Sequence, residues 1–320
     1  MEIKPLITVI TASYNSKYLY ESISSVLSQT YEKIEYIVAD DGTEGFDKED
    51  VELYIRKNQP SNIIFSLVIH HTNNIGTVQN LNYAIKMCHG KYVFFLSAGD
   101  VYCDPYTLDK WVSDMEKKGS IISTSILLKY DEKLSALQFD FPFPYQKRLL
   151  MEGNKKYIFN ELTNGNFILG CCTAYSRICF KKYGFFDEDY HLIEDYPYML
   201  SYIRRNGRID FFDHQCIKYR CGGVSSSQHF NDTYERDSDL IFRNEILPYV
   251  KFKYWHKLIY SQWKKNQKTG FWEKIANAGP LSKICLYFLN PVQICISLEH
   301  YIRNSFKFRR IRGGTNNADC

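Results

Sequence analysis

Three stretches in the first hundred residues set polar side chains directly after a run of apolar, β-favouring residues. They are ITASYN at 10–15, VADDGT at 38–43 and YVFFLSAGD at 92–100. Each reads as the carboxyl end of a buried strand. In open α/β sheets the ligand occupies the crevice outside those ends, so three polar ends describe one crevice with several chemical handles. A nucleotide-linked substrate is its natural occupant. Two later stretches add chemistry. FFDEDYHLIEDYPYML at 185–200 carries the densest cluster of acids, and KYRCGGVSS at 218–226 sets Lys218 and Arg220 beside a Gly222-Gly223 pair. A carboxylate can hold a hard cation or take a proton from an attacking hydroxyl, and a guanidinium can pair with phosphate bidentately. The glycines allow a hinge that would close Arg220 over a diphosphate; an ordinary strand and turn fits the same residues.

The elements that must carry these groups follow from hydrophobic periodicity. Leu6 to Ile10 is an apolar strand run, and Leu19, Ile23, Val26 and Leu27 then share one helical face. Ile34 to Val38 and Ile63 to Ile69 repeat the strand signal, separated by a weaker helical segment around Val51, Leu53, Tyr54 and Ile55. Gly76 to Cys88 reads as a helix stopped by Gly90, before a fourth strand at Tyr92 to Leu96. Asp104-Pro105 predicts a helix start, and Ile121 to Leu128 a fifth strand. A helical tail runs from Tyr196 to Ile203 and stops at Asn206-Gly207. Such alternation predicts an α/β fold: a mostly parallel, Rossmann-like sheet flanked by helices. Residues 1–130 would form a nucleotide-binding half and 131–235 an acceptor half. A helical, aromatic and basic appendage would occupy 236–320.

Composition narrows the function class. The 320 residues are 45% hydrophobic and 24% charged, as in ordinary globular proteins. Aromatics reach 16%, with 26 Tyr and 21 Phe, which suits carbohydrate faces or a membrane interface, or reflects biased composition alone. A net charge of +4 is too mild to argue for a nucleic-acid partner. The ten cysteines are scattered and lack zinc-ribbon spacing, and no signal-peptide pattern opens the chain, which predicts a cytosolic protein with reduced thiols. Neither G-x-G-x-x-G nor G-x-x-x-x-G-K-[ST] occurs, which argues against a dehydrogenase or a P-loop enzyme.

VITASYN, the DDGT turn, NNIG with the Asn82 to Gly90 segment leading into GKYVFFLSAGD, and IEDYPYML, in that order, resemble the family 2 glycosyltransferases. The resemblance covers about residues 6–225 and implies the GT-A fold and sugar transfer from a nucleotide diphosphate sugar. By the family pattern, Ala12 through its backbone and Tyr14 line the base pocket. Asp41 accepts a hydrogen bond from the base, and a uracil imide N–H suits an acceptor-only carboxylate. Gly76 and Asn82 correspond to positions facing the diphosphate; a glycine turn and a helix-surface amide explain them equally well. Ser97, Ala98, Gly99 and Asp100 stand where the family carries its DxD motif. The resemblance makes Asp100 the ligand of a divalent cation, Mg²⁺ or Mn²⁺, and the other three contacts of the donor. The motif departs from the pattern here, keeping one carboxylate where D-A-D-D has three. Asp195 corresponds to the catalytic base of inverting transfer and Glu194 to an acceptor-binding residue. His214 or His229 could complete the cation's shell.

The tail holds KYWHKLIYSQWKK, then fifteen residues at 284–298 interrupted by Asn290-Pro291, too short to span a bilayer. Arg303 to Arg312 adds five basic residues and no acid. These resemble helices lying in a membrane interface; core packing or dimerisation is the equal alternative. The resulting expectation is an inverting enzyme at the inner face of a bacterial membrane. It would move a hexose or N-acetylhexosamine from a nucleotide diphosphate donor, UDP-linked as the resemblance implies, to a lipid-linked saccharide. Its setting would be O-antigen, capsule or exopolysaccharide assembly. A catalytically lapsed nucleotide-sugar-binding scaffold is the competing class, motivated by SAGD. A nucleotidyltransferase would need a glycine-rich loop where ASYNSKYLY stands.

Overall fold

The computed structural model describes residues 4–222 and 232–249. Its strands are β1 (Ile7–Ser13), β2 (Ile34–Asp40), β3 (Ile63–His70), β4 (Tyr92–Ser97), β5 (Val101–Tyr102), β6 (Ile122–Tyr130), β7 (Leu137–Phe141), β8 (Thr173–Ser176) and β9 (Ile209–Arg220). Its helices are α1 (Leu19–Leu27), α2 (Lys48–Asn58), α3 (Thr77–Met87), α4 (Thr107–Lys118), α5 (Pro144–Glu152), α6 (Lys155–Leu162), α7 (Arg177–Tyr183), α8 (Asp195–Arg204) and α9 (Asp232–Ile241).

The strands form one sheet in the order β3-β2-β1-β4-β8-β6-β9-β5, with β7 pairing off β6. β1 to β4, β6 and β9 run one way, and β5, β7 and β8 run against them. The predicted strand runs are all present, each extended by one to three residues at its carboxyl end. That extension matters for the site. Register places Ala12 beside both Ala39 and Ser97, so the tips of β1, β2 and β4 end side by side.

Packing explains the apolar periodicity. Leu19, Ile23, Val26 and Leu27 of α1 are all buried against the sheet, as spacing of i, i+4, i+7 and i+8 requires. In α2 only Val51 and Ile55 are buried, which accounts for its weaker signal. α4 starts later than Asp104-Pro105 predicts. Asp104 accepts the Tyr106 N–H at 2.7 Å and so builds a turn, after which the helix begins at Thr107. Many aromatics are core residues: among Tyr175, Phe180, Phe186 and Tyr198, Tyr175 stacks on Phe180 and the other pairs meet edge-to-face or tilted, with ring centroids 5.2 to 6.2 Å apart.

Chain packing separates Met1–Ile246 from Leu247–Cys320, and α9, which contains position 235, belongs to the first unit. The Gly223 to Ser226 turn, His229, the 284–298 segment and the basic run at 303–312 lie outside the described residues. No helix among the described residues is long and apolar enough to cross a membrane.

Candidate active site

The two adjacent aspartates after β2 have separate tasks. Asp40 is wholly buried and accepts the Thr43 N–H at 2.8 Å and hydroxyl at 2.7 Å, with His70 Nδ1 at 2.9 Å; it closes the turn. Asp41, 4% exposed, turns toward α3 and accepts the N–H groups of Ile75 at 2.8 Å and Gly76 at 3.0 Å. Burial pushes its carboxyl above the ordinary range, and the two N–H donors pull the other way. Gly76 has φ +90°, and a Cβ there would lie 2.5 Å from the His191 ring. Tyr14 stands at the end of β1 with nearly half its surface exposed.

The third strand end turns tightly. Ala98 N–H donates to the Ala12 carbonyl at 2.8 Å, and Asp100 N–H to the Ser97 carbonyl at 2.9 Å. The buried Ser22 hydroxyl of α1 braces this turn, accepting Gly99 N–H at 2.8 Å and donating to the Asp100 carbonyl at 2.7 Å. Asp100 is 3% exposed. Its Oδ1 accepts the Arg220 N–H at 2.9 Å, while the buried Oδ2 has no hydrogen-bond partner. Burial raises its pKa to about 7 against the opposing Arg220 N–H and charge. A buried oxygen left unpaired is costly, and a hard cation is the partner a carboxylate oxygen accepts there. Asp100 thus fits the role of a cation ligand. Among the described residues no group of three His, Cys, Asp or Glu is placed to hold a metal.

Arg220 does not sit on an open loop. It is the last residue of β9, 6% exposed, and its guanidinium lies 3.7 Å over the Tyr18 ring. Nε donates to the Gly99 carbonyl at 2.7 Å, Nη1 to the Glu132 carbonyl at 2.6 Å, and Nη2 to Glu21. Through its own N–H and these bonds Arg220 builds the floor under Asp100. Asn82 is likewise spent inside the fold: its amide donates to the Phe186 carbonyl at 2.8 Å and Glu188 at 3.0 Å and accepts the Phe186 N–H. His214 faces Ser125, Asp114 and Trp111 instead of Asp100.

Asp195 opens α8, where the helix dipole favours a negative charge. Its Oδ2 accepts Gly170 N–H at 2.7 Å and the Asn166 amide at 3.0 Å. Burial raises both Asp195 and Glu194, and Glu194 is raised further by its neighbour's charge. The donors on Asp195 make it the member of the pair that ionises first. A Cβ at Gly170 would come within 2.9 Å of Glu194 Oε1, so the end of the Glu194 side chain would have to shift. Gly170 opens the 3₁₀ turn Gly170–Cys172, so the N–H that Asp195 accepts is fixed by that turn.

The sequence model of glycosyl transferase family 2 matches residues 8–184. This chain belongs to that family. Family 2 membership makes it a glycosyltransferase. It is 26% identical over 257 residues to an uncharacterized glycosyltransferase of Haemophilus influenzae, covering 78% of this chain and 76% of the relative. An uncharacterized glycosyltransferase of Rickettsia typhi is 31% identical over 217 residues, 67% of this chain and 63% of its own length. In shape, S. aureus TarS in complex with UDP-GlcNAc aligns with TM-score 0.53 at 16% identity, over 79% of this chain and 78% of that one. That likeness supports the GT-A fold. Within this family 2 enzyme, Asn166, Gly170 and Ser22 escaped the motif reading; only the position of Gly170 directly after the apolar FIL run hinted at a close approach.

Proposed function

We propose that this enzyme is an inverting hexosyl- or N-acetylhexosaminyltransferase that uses a UDP-linked donor. The observation that carries the reading is a pair of acids: Asp100 with an unpartnered buried oxygen, and Asp195 held by the Gly170 N–H and the Asn166 amide. Asp41, with Ala12 and Tyr14 beside it, receives the base at the other end of the crevice. The UDP-GlcNAc complex of a neighbour in fold supports the choice of base and of a diphosphate donor.

Ser97, Ala98 and Gly99 place backbone against the donor, and Asp100 would hold a divalent cation that neutralises charge on the diphosphate. The acceptor hydroxyl attacks the anomeric carbon from the face opposite the nucleotide. The new C–O bond forms as the bond to the β-phosphate oxygen breaks, and the hydroxyl proton passes to Asp195. Glu194, more readily protonated than Asp195, can donate a hydrogen bond to the acceptor. A lipid-linked saccharide in surface-polysaccharide assembly is the proposed acceptor, and the aromatic and basic sequence at 251–320 supports action at the inner membrane face.

A panel of UDP-sugars, with Mn²⁺ or Mg²⁺ and assayed for released UDP, tests this directly. Turnover of one donor that is lost in Asp195→Asn and on chelation supports the mechanism. Turnover that survives both changes overturns it, and donor binding without any turnover favours a scaffold.

A further inference from the structure

Immediately before Glu194 and Asp195, three successive backbone N–H groups converge on one carboxylate oxygen. His191, Leu192 and Ile193 donate to Oδ2 of Asp237 at 2.8, 2.6 and 3.2 Å. Consecutive amides turned to one side form a concavity that binds anions. Here the protein fills it with its own side chain. Asp237 reaches in from α9 and is wholly buried. Arg236 donates to the other oxygen, Oδ1, at 3.2 Å and to the Asp189 carbonyl at 3.2 Å, so α9 fastens both ends of the loop.

The loop held in this way touches both halves of the crevice. Its last residue precedes the Glu194–Asp195 pair. At its first, His191 accepts the Val78 N–H at 3.2 Å and fills the space beside Gly76, whose N–H is one of the two donors on Asp41. A single carboxylate therefore fixes the backbone that leads into the base and braces the glycine that shapes the base pocket. Removing a buried acceptor would leave three N–H groups unpaired in one turn of loop.

We propose that Asp237 is a positioning residue for sugar transfer. It touches no substrate; it acts by setting residues 191–193, and through them Asp195 and the Gly76–Asp41 contact. The proposal rests on the reading of Asp195 as the base and Asp41 as the nucleotide residue. It places part of the machinery in α9, beyond the residues 8–184 that carry the family match.

The test is a double-mutant cycle in the full chain, with kcat, donor KM and thermal stability measured for each variant. Displacing a catalytic group by an ångström costs about 100-fold, so Asp237→Ala is expected to lower kcat by about 10- to 100-fold in protein that remains folded at the assay temperature. Donor KM should rise through the Gly76 contact. Asp237→Asn keeps an oxygen for the three amides and should recover most of the lost turnover. Asp237→Glu keeps charge and acceptor but shifts them by one methylene, and should lose kcat even if the alanine variant does not fold. In the Asp195→Asn background, Asp237→Ala should cost little more, because its effect passes through Asp195. Wild-type kcat in folded Asp237→Ala or in Asp237→Glu, or equal losses in both backgrounds, overturns the proposal. Wild-type turnover in Asp195→Asn alone would instead refute the assignment of the base.

Discussion

Asp41 and Asp100 lie beyond the ends of β2 and β4, the strands on either side of β1, and are nearly equally buried, at 4% and 3% exposure, yet the protein treats them differently. Asp41 takes two backbone N–H groups, both from the turn that opens α3. Asp100 takes one, from Arg220, and keeps an unpaired oxygen. The first carboxylate is organised before any ligand arrives. The second is left one partner short, and a buried anion in that state is stabilised by whatever cation the donor brings. On the proposed assignments, the nucleotide end of the crevice would be a preformed pocket and the phosphate end one that ligation completes.

The largest effect should come from beyond both residues. Asp195→Asn is expected to lower kcat by about 10²- to 10⁴-fold while UDP binding, followed by calorimetry, stays near wild type. The acid limb of the wild-type kcat/KM profile should lie above the ordinary carboxylate range, because burial raises Asp195 and the base must be ionised to act. Asp100→Asn comes next. It should abolish the response of turnover to added Mn²⁺ or Mg²⁺, which separates Asp100 from Asp41. With its pKa raised from 3.8 to about 7, folded Asp100 holds a proton that the unfolded chain releases, so its contribution to stability falls as pH rises across that window. The Tm of metal-free Asp100→Asn should therefore rise relative to wild type as pH increases from 5 to 8. Added cation should raise the Tm of wild type alone. Asp41→Asn should mainly raise donor KM, by about 10-fold, since one of two buried N–H groups then faces an amide. Ser22→Ala, which removes the hydroxyl bracing Gly99 and Asp100, should be mildest, lowering activity by about 3-fold, consistent with the loss of neutral hydrogen bonds. An Asp41→Asn enzyme that lost its cation response, or an Asp100→Asn enzyme that kept it, would break the comparison.

How much of this was legible depended on how locally each feature is determined. The strand runs and the buried face of α1 follow from side-chain periodicity and were readable to within a few residues. The start of α4 was not, because Asp104 can cap a turn as readily as a helix. At the site, the polar strand ends were visible as composition changes. Which of Asp40 and Asp41 closes the turn follows from contacts with His70 on one side and Ile75 and Gly76 on the other, 30 to 35 residues away. In sequence, Arg220 fitted phosphate binding and an ordinary strand and turn equally well. Its neighbours Tyr18, Glu21 and Glu132, which are invisible to local pattern, give it a structural task instead. Asn82 was misleading in the same way, its amide spent on the 186–188 loop.

Asp100 meets Arg220 across 120 residues of chain, and the loop before Asp195 meets Asp237 only after 44 more. Synthesis delivers these partners in order, and domains form from the amino terminus as the chain emerges. On the proposed assignments both ends of the crevice, through the Gly76 brace and through the loop before Asp195, have to wait for α9. A chain stopped before α9 would carry every proposed contact residue of the crevice and still lack the carboxylate that sets them.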